Sequence, residues 1–298
     1  MSGIKDAISA QLYLIGWKIV QRLPEKVAYK LFEKLGKIFH NRNGKAVKRL
    51  RSNLQVVMPS ANSNELEEIV IKGISSYFRY WCDTFRFPGW STQRIIDSVN
   101  TTNENLLKDP VAAGTGVIVA LPHSGNWDHA GAYFCGMGFP LVTVAERLKP
   151  EALFNKFLEY RQNIGMEVLA LDGRSMATLL QRAREGSLIA LVADRDLSKS
   201  GVDVTFFDYP ARMPAGAALL AIRTGIPLVT AYVSYTNTGI HIEFNEVKIP
   251  SDGTETQRVA AVVQNCADLF ADGITKHPQD WHMLQRIWID GDFQERTA

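Results

Sequence analysis

Val117-Ile118-Val119-Ala120-Leu121-Pro122-His123-Ser124-Gly125-Asn126-Trp127-Asp128 is the stretch on which the fold turns. Its first half is short, apolar and β-branched, the composition of a buried strand. Gly125 and Asn126 break the extended run, and a helix is predicted from Trp127. His123 therefore stands where a strand has ended and a helix has not begun. In open α/β sheets that carboxyl edge is where ligands bind. An imidazole titrates near neutral pH, and Asp128 follows five positions on, so His123 is a candidate general base with Asp128 as its orienting acid.

Downstream of this stretch, strand and helix patterns alternate. Strands are predicted at 116–122, 140–145, 167–171, 187–193, 203–207, 227–236 and 239–248. Helices are predicted at 127–137, 150–164, 175–185, 214–224 and 255–276. This alternation predicts an α/β fold, a mostly parallel central sheet flanked by helices. Thr236-Asn237-Thr238-Gly239 would join the last two strands as an antiparallel hairpin at a sheet edge.

Upstream the pattern is helical. A helix over 4–23 is stopped by Pro24. The next helix carries an apolar stripe, Val27, Leu31, Leu35 and Ile38, beside Lys26, Lys30, Lys34 and Lys37. That is the basic amphipathic pattern of interfacial helices, and equally that of a core stripe with a solvated basic face. A third, very basic helix covers 45–57. A fourth, 64–86, is capped by Asn62-Ser63-Asn64 and ends in an aromatic run from Tyr77 to Phe87 whose plain reading is core packing. No repeat or linker interrupts the chain. The expectation is one domain over 1–298, with a helical, membrane-surface region over 1–100 packed on a catalytic α/β core at 115–290.

Charge is unevenly spread. Residues 1–58 hold twelve Lys or Arg and three acids, net +9, whereas the remainder holds 21 bases and 28 acids, net −7. The asymmetry points to an anionic partner for the N-terminal part. No nucleic-acid recognition motif accompanies it, so an anionic membrane surface met by residues 1–58, and no nucleic acid, is the expectation. Ala7 to Leu23 is too short and too polar to span a bilayer, and Arg22-Leu23-Pro24-Glu25 is no leader-cleavage site. Cys82, Cys135 and Cys266 lie far apart, with neither zinc nor disulfide spacing, which suits a reducing setting.

Polar clusters fall at predicted strand ends on the rim that carries His123. One is Glu146-Arg147-Leu148-Lys149-Pro150, another Asp194-Arg195-Asp196, and Arg161 lies on the helix between them. Arg212, just before a predicted helix, and the loop around Ser198, Lys199, Ser200 and Gly201 would each suit a phosphate. A zinc site built on His123, Asp128 and His129 is the alternative chemistry, without a further ligand cluster to support it; no metal is expected. A non-catalytic membrane-surface protein is the alternative of another class, and it leaves the grouped rim residues unexplained.

The ordered motifs His-Ser-Gly-Asn-Trp-Asp (123–128), Val-Ala-Glu-Arg-Leu-Lys-Pro-Glu (144–151), Glu-Tyr-Arg (159–161), Asp-Arg-Asp-Leu (194–197), Ser-Gly-Val (200–202), Arg-Met-Pro-Ala-Gly (212–216) and Trp-His-Met-Leu-Gln (281–285) carry a resemblance. Together they resemble the bacterial lipid A lauroyl acyltransferases of the glycerolipid acyltransferase group, and within them the branch that acts on phosphatidylinositol mannosides. The resemblance implies a peripheral enzyme at the cytoplasmic face of the plasma membrane. It would use acyl-CoA as co-substrate, without a bound cofactor, and a phosphatidylinositol mannoside as acceptor. By the same resemblance His123 would be the base, Asp194 its carboxylate partner and Asp128 a shaping residue. Glu146 and Arg161 would bind substrate, and Arg195, Ser200 and Arg212 would join them. Two departures are Asp194, where the relatives carry the longer Glu, and Asp208, where they carry Gly. Whether Asp194 reaches His123 is a question of three dimensions.

Overall fold

The computed structural model describes residues 15–145, 151–171 and 174–289. Glu146 and the rest of 146–150 lie outside them, as do residues 1–14 of the predicted first helix; residues 15–22 are helical.

Three helices come first: α1 (Glu25–Asn41), α2 (Lys45–Val57) and α3 (Ser63–Arg86). Asn62 caps α3 in a reciprocal capping box with Glu65, which satisfies the first orphan amides of the helix. Short α4 (Thr92–Asp97), β1 (Val99–Thr102) and α5 (Asn105–Ala112) follow. None of these three was predicted: each is too short for a periodicity to emerge.

Then come β2 (Val117–Leu121), α6 (Trp127–Gly136), β3 (Leu141–Ala145), α7 (Glu151–Asn163), β4 (Glu167–Ala170), α8 (Ser175–Arg184) and β5 (Leu188–Val192). The chain continues through β6 (Val202–Phe206), β7 (Tyr209–Met213), α9 (Gly216–Thr224), β8 (Leu228–Tyr235), β9 (Ile240–Glu246) and α10 (Glu255–Lys276). A final irregular segment carries a 3-10 turn at Pro278–Asp280.

Seven strands form the central sheet in the order β1-β9-β8-β2-β5-β3-β4. β8, β2, β5, β3 and β4 run parallel, so the α/β reading holds. β9 is antiparallel to β8, as predicted for the hairpin, but β1 pairs outside it, so the hairpin is not at the edge. β2 is central and buried at every position. Its alternate residues feed two cores. Ile118 and Ala120 pack with α8, α9 and α10, whereas Val117, Val119 and Leu121 pack under α6 and α7.

The strand predicted at 203–207 is β6, but it lies apart from the main sheet and pairs with β7. β7 was not predicted because Pro210 demotes such a run. The helix predicted from Pro214 begins at Gly216. The two-residue turn between these strands sets Phe207 and Asp208 at positive φ, 49° and 62°, which explains why a glycine suits position 208.

Helix α1 turns two small residues and one phenyl ring inward. Ala28, Phe32 and Gly36 are buried, and a Cβ on Gly36 would lie 3.5 Å from the Phe78 ring of α3. The bulky stripe Val27, Leu31, Leu35 and Ile38 faces outward, and with Ile15 and Ile19 these six side chains are 38–55% exposed. The core reading of that stripe is therefore excluded. The aromatic end of α3 does join the core, with Phe85 packed on Trp17 and Trp81 on Phe85. The three cysteines are free thiols, and burial pushes them up to about 12 (Cys82), about 11 (Cys135) and about 12 (Cys266).

Candidate active site

Strand register builds the centre of the site. β2 and β5 pair in parallel from Val117 opposite Leu188 to Leu121 opposite Val192. Two residues further along each chain, the same offset sets His123 opposite Asp194. His123 Nδ1 lies 2.6 Å from Asp194 Oδ1, and the His123 amide donates to Asp194 Oδ2 at 3.0 Å. Asp194 is fully buried, while the His123 side chain remains 39% exposed. Burial works to raise the Asp194 carboxyl, but the His123 ring, its two bonds and the Trp281 indole outweigh it and hold the group below the ordinary range. A carboxylate on Nδ1 fixes the tautomer with the proton there. The bare Nε2 is left as the basic atom.

The final segment of the chain closes this edge. Trp281 Nε1 donates to Asp194 Oδ2 at 3.1 Å. His282 N donates to the His123 carbonyl at 2.7 Å, and Gly125 N to the Asp280 carbonyl at 2.8 Å. Ser124 is fully buried and its Oγ accepts from Val233 N at 3.2 Å, so it is unsuited to act as a nucleophile.

His282 is itself buried. Its Nε2 meets Ser76 Oγ at 2.9 Å, and that hydroxyl donates to Asp280 Oδ1 at 2.7 Å. Burial, then the nearby His123, lower His282 to about 3, so it is neutral at physiological pH. Its Nδ1 meets no hydrogen-bonding partner among the described residues.

Asp128 sits one helical turn along. It does not touch His123. Its two oxygens accept from Arg161 Nε at 2.9 Å and Tyr80 OH at 3.0 Å. Burial opposes the Arg161 charge, but Asp128 and Tyr80 more than compensate, so the guanidinium is held firmly charged. Asp128 and Arg161 are thus brought together as a pair that spans α6 and α7.

An apolar cavity of about 640 Å³ of empty space, part of it open to solvent, lies between α6 and the sheet. Leu121, Ala190, Ala231, Val233, Phe134 and Phe244 are among its walls, and Trp127, Asp128 and Arg161 line it too. Gly131 lets Met166 pack close against α6 at this wall. A Cβ on Gly131 would fall 2.2 Å from Met166 Cε. His123 is not a lining residue; Trp127 is, and it meets the His123 ring edge-on at 5.6 Å.

Ser200 and Arg212 meet at a second place, around Ser198. Arg195 is half-buried where the loop leaves Asp194, and Ser200 is exposed with its Oγ 2.8 Å from Ser198 Oγ. Arg212, on β7, donates to Asp203 at 2.6 Å and to the Ser198 carbonyl at 3.3 Å. Arg212 thus ties the 196–203 loop to the β6–β7 hairpin, and Asp196 N returns a bond to the Arg212 carbonyl at 2.8 Å. His129, of the zinc alternative, is buried with Nε2 3.2 Å from both the Ile95 carbonyl and Ser98 Oγ, so it is engaged elsewhere than at His123. Among the described residues no cluster of His, Cys, Asp and Glu could hold a metal ion.

Sequence reasoning gave no role to Tyr80, Ser76, Asp280, Trp281 or His282. The last two lie in a motif that carried only the resemblance. Their signal is a Trp-His pair in an aperiodic segment after the last helix, where no packing pattern calls for either residue.

The chain matches the family model of the bacterial lipid A biosynthesis acyltransferases over residues 4–289. It is 38% identical over 289 residues to a phosphatidylinositol mannoside acyltransferase of Mycolicibacterium smegmatis, an alignment that covers 96% of this chain and 93% of that protein. It is 36% identical over 291 residues to the protein of the same name from Mycobacterium tuberculosis (strain ATCC 25618 / H37Rv), covering 96% and 90%.

Proposed function

The chain belongs to the bacterial lipid A biosynthesis acyltransferase family, and on that premise we propose that it moves a long-chain fatty acyl group from acyl-CoA to a mannose hydroxyl of a phosphatidylinositol mannoside. The observation that carries this reading is the Asp194–His123 pair beside an apolar cavity at the carboxyl edge of the sheet.

His123 Nε2 takes the proton from the acceptor hydroxyl as its oxygen attacks the thioester carbonyl carbon. Asp194 stabilises the imidazolium that forms. Collapse of the tetrahedral centre breaks the carbon–sulfur bond, and the departing thiolate receives the same proton from His123. A thioester is already activated, so no acyl-enzyme is required, and base assistance of this kind is worth roughly 10²–10⁴ in rate. The cavity under α6 takes the acyl chain. Asp128, anchored by Tyr80, orients Arg161 at its wall. Arg195, Ser200 and Arg212, with Glu146, contact the polar parts of the two substrates.

The enzyme works from a membrane surface, at the cytoplasmic face. Among the described residues no helix is long and apolar enough to cross a bilayer. The outward stripe of α1, with Ile15 and Ile19, lies beside exposed Lys18, Lys26, Lys30, Lys34 and Lys37, a combination that binds anionic lipid interfaces.

Mass spectrometry tests the substrate assignment. Purified protein mixed with acyl-CoA and a panel of glycolipids should acylate phosphatidylinositol mannosides and leave lipid A precursors and lysophospholipids unchanged. Acylation of another acceptor alone would replace the acceptor part of the reading.

A further inference from the structure

We propose that Trp281 is a positioning residue for the Asp194–His123 pair, a role that rests on the reading of His123 as the base. A carboxylate offers about four lone-pair directions on two oxygens. Oδ1 of Asp194 is taken by the His123 ring. Oδ2 accepts twice, from the His123 amide at 3.0 Å and from the Trp281 indole at 3.1 Å. With two donors on Oδ2 the carboxylate cannot rotate about its Cβ–Cγ bond without breaking one of them. Oδ1 therefore stays on Nδ1.

The indole is itself held from elsewhere. Trp281 is fully buried, packs against the Phe206 ring at 6.0 Å, and pairs with Ser124 as an antiparallel bridge. Its two neighbours make backbone bonds to His123 and Gly125. The segment 280–282 is thus a strap laid along 123–125, and it carries one side chain to the buried acid. A phenylalanine would keep an aromatic ring there but leave part of the indole's volume empty. What the indole adds is an N–H on a buried charge, and bonds to charged groups are the strong ones.

Other titratable groups face the pair from two more elements. His282, on the strap, is held neutral, lowered to about 3. Burial and then the charges of Asp280 and Asp194 raise Tyr232, on β8, far above its ordinary value. Neither titrates near neutral pH, so a change in the His123 titration reports on Asp194.

Trp281→Phe removes the N–H and keeps an aromatic ring. The NMR titration of the His123 ring and the acid limb of kcat/KM should move down together by about half a pH unit, because a carboxylate freed to turn holds the imidazolium less firmly. Turnover should fall about 10-fold with KM for acyl-CoA unchanged. Incorporation of benzothienylalanine at position 281, with sulfur for N–H in the same ring outline, should reproduce both changes and excludes a packing cause. A His123 titration that stays put or moves up in both variants overturns the role. Full turnover in His123→Ala would instead defeat the base reading and leave the titration result standing.

Discussion

At the carboxyl edge of β2, position in the sequence and position in space are locked together by hydrogen-bond register; on the surface of α1 they are not. β2 and β5 keep one offset along their whole paired length, and that offset carries His123 to Asp194. On α1 the helical period fixes which residues share a face but not which face meets the core. Val27, Leu31, Leu35 and Ile38 form the more apolar stripe, yet Ala28, Phe32 and Gly36 are the ones buried. The difference teaches that burial on a helix follows fit as well as hydrophobicity. Small residues let α1 approach α3 closely, and the larger side chains are turned outward.

The largest effect expected on the register side belongs to Asp194→Asn. An amide at this position loses the charge that steadies the imidazolium, and turnover should fall roughly 10²–10⁴-fold in a steady-state assay. A loss of less than about tenfold would mean that register has brought together a merely structural pair.

On the α1 side, neighbouring residues should behave in opposite ways. Phe32→Ala should cost about 3–5 kcal/mol in urea unfolding. Leu31→Glu with Leu35→Glu should alter stability by about 0.5 kcal/mol at most, yet weaken binding to anionic vesicles at least tenfold. A destabilised double variant with unchanged vesicle binding would reverse the assignment of the two faces.

Acid should probe the sheet side more gently. Burial lowers His129 to about 4 and His282 to about 3 from an ordinary value near 6.5. Below pH 6.5 the unfolded chain therefore binds these protons before the folded one does. Stability is fully present above that pH and declines as pH falls towards 4, each histidine adding a slope of up to about 1.4 kcal/mol per pH unit. Asp194, held below its ordinary value, adds a further loss only under more acidic conditions. Urea melts at half-unit steps from pH 4 to 7 should show the slope, and His129→Gln should flatten it.

The smallest change is expected at the β6–β7 turn. Asp208→Gly relieves a positive φ of 62° and should raise stability by about 1 kcal/mol, visible as a few degrees in Tm, with turnover unaffected.

Much of the sheet was legible because β2, β3, β5 and β8 are apolar runs separated by helical patterns. β1 was not, since Val99-Asn100-Thr101-Thr102 is four residues long and three of them are polar. β7 was hidden by Pro210, whose carbonyl is nonetheless used, by Ile289 N at 2.9 Å. In the site, His123 announced itself as an imidazole between strand and helix. The resemblance supplied Asp194, and the structure made their contact visible. The Asp128–Arg161 pair depends on how α7 is turned against α6, which no spacing along the chain encodes. Trp281 and His282 arrive from more than 80 residues beyond Asp194 on an irregular segment, where only three dimensions reveal their targets.

The central claim is that the His123 ring takes the proton from the acceptor hydroxyl. Transfer of a radiolabelled acyl group from acyl-CoA to phosphatidylinositol mannoside by His123→Ala, with circular dichroism to verify the fold, measures it most directly. The expected result is a loss of roughly 10²–10⁴-fold with a native spectrum. Turnover close to that of the unaltered enzyme would contradict it.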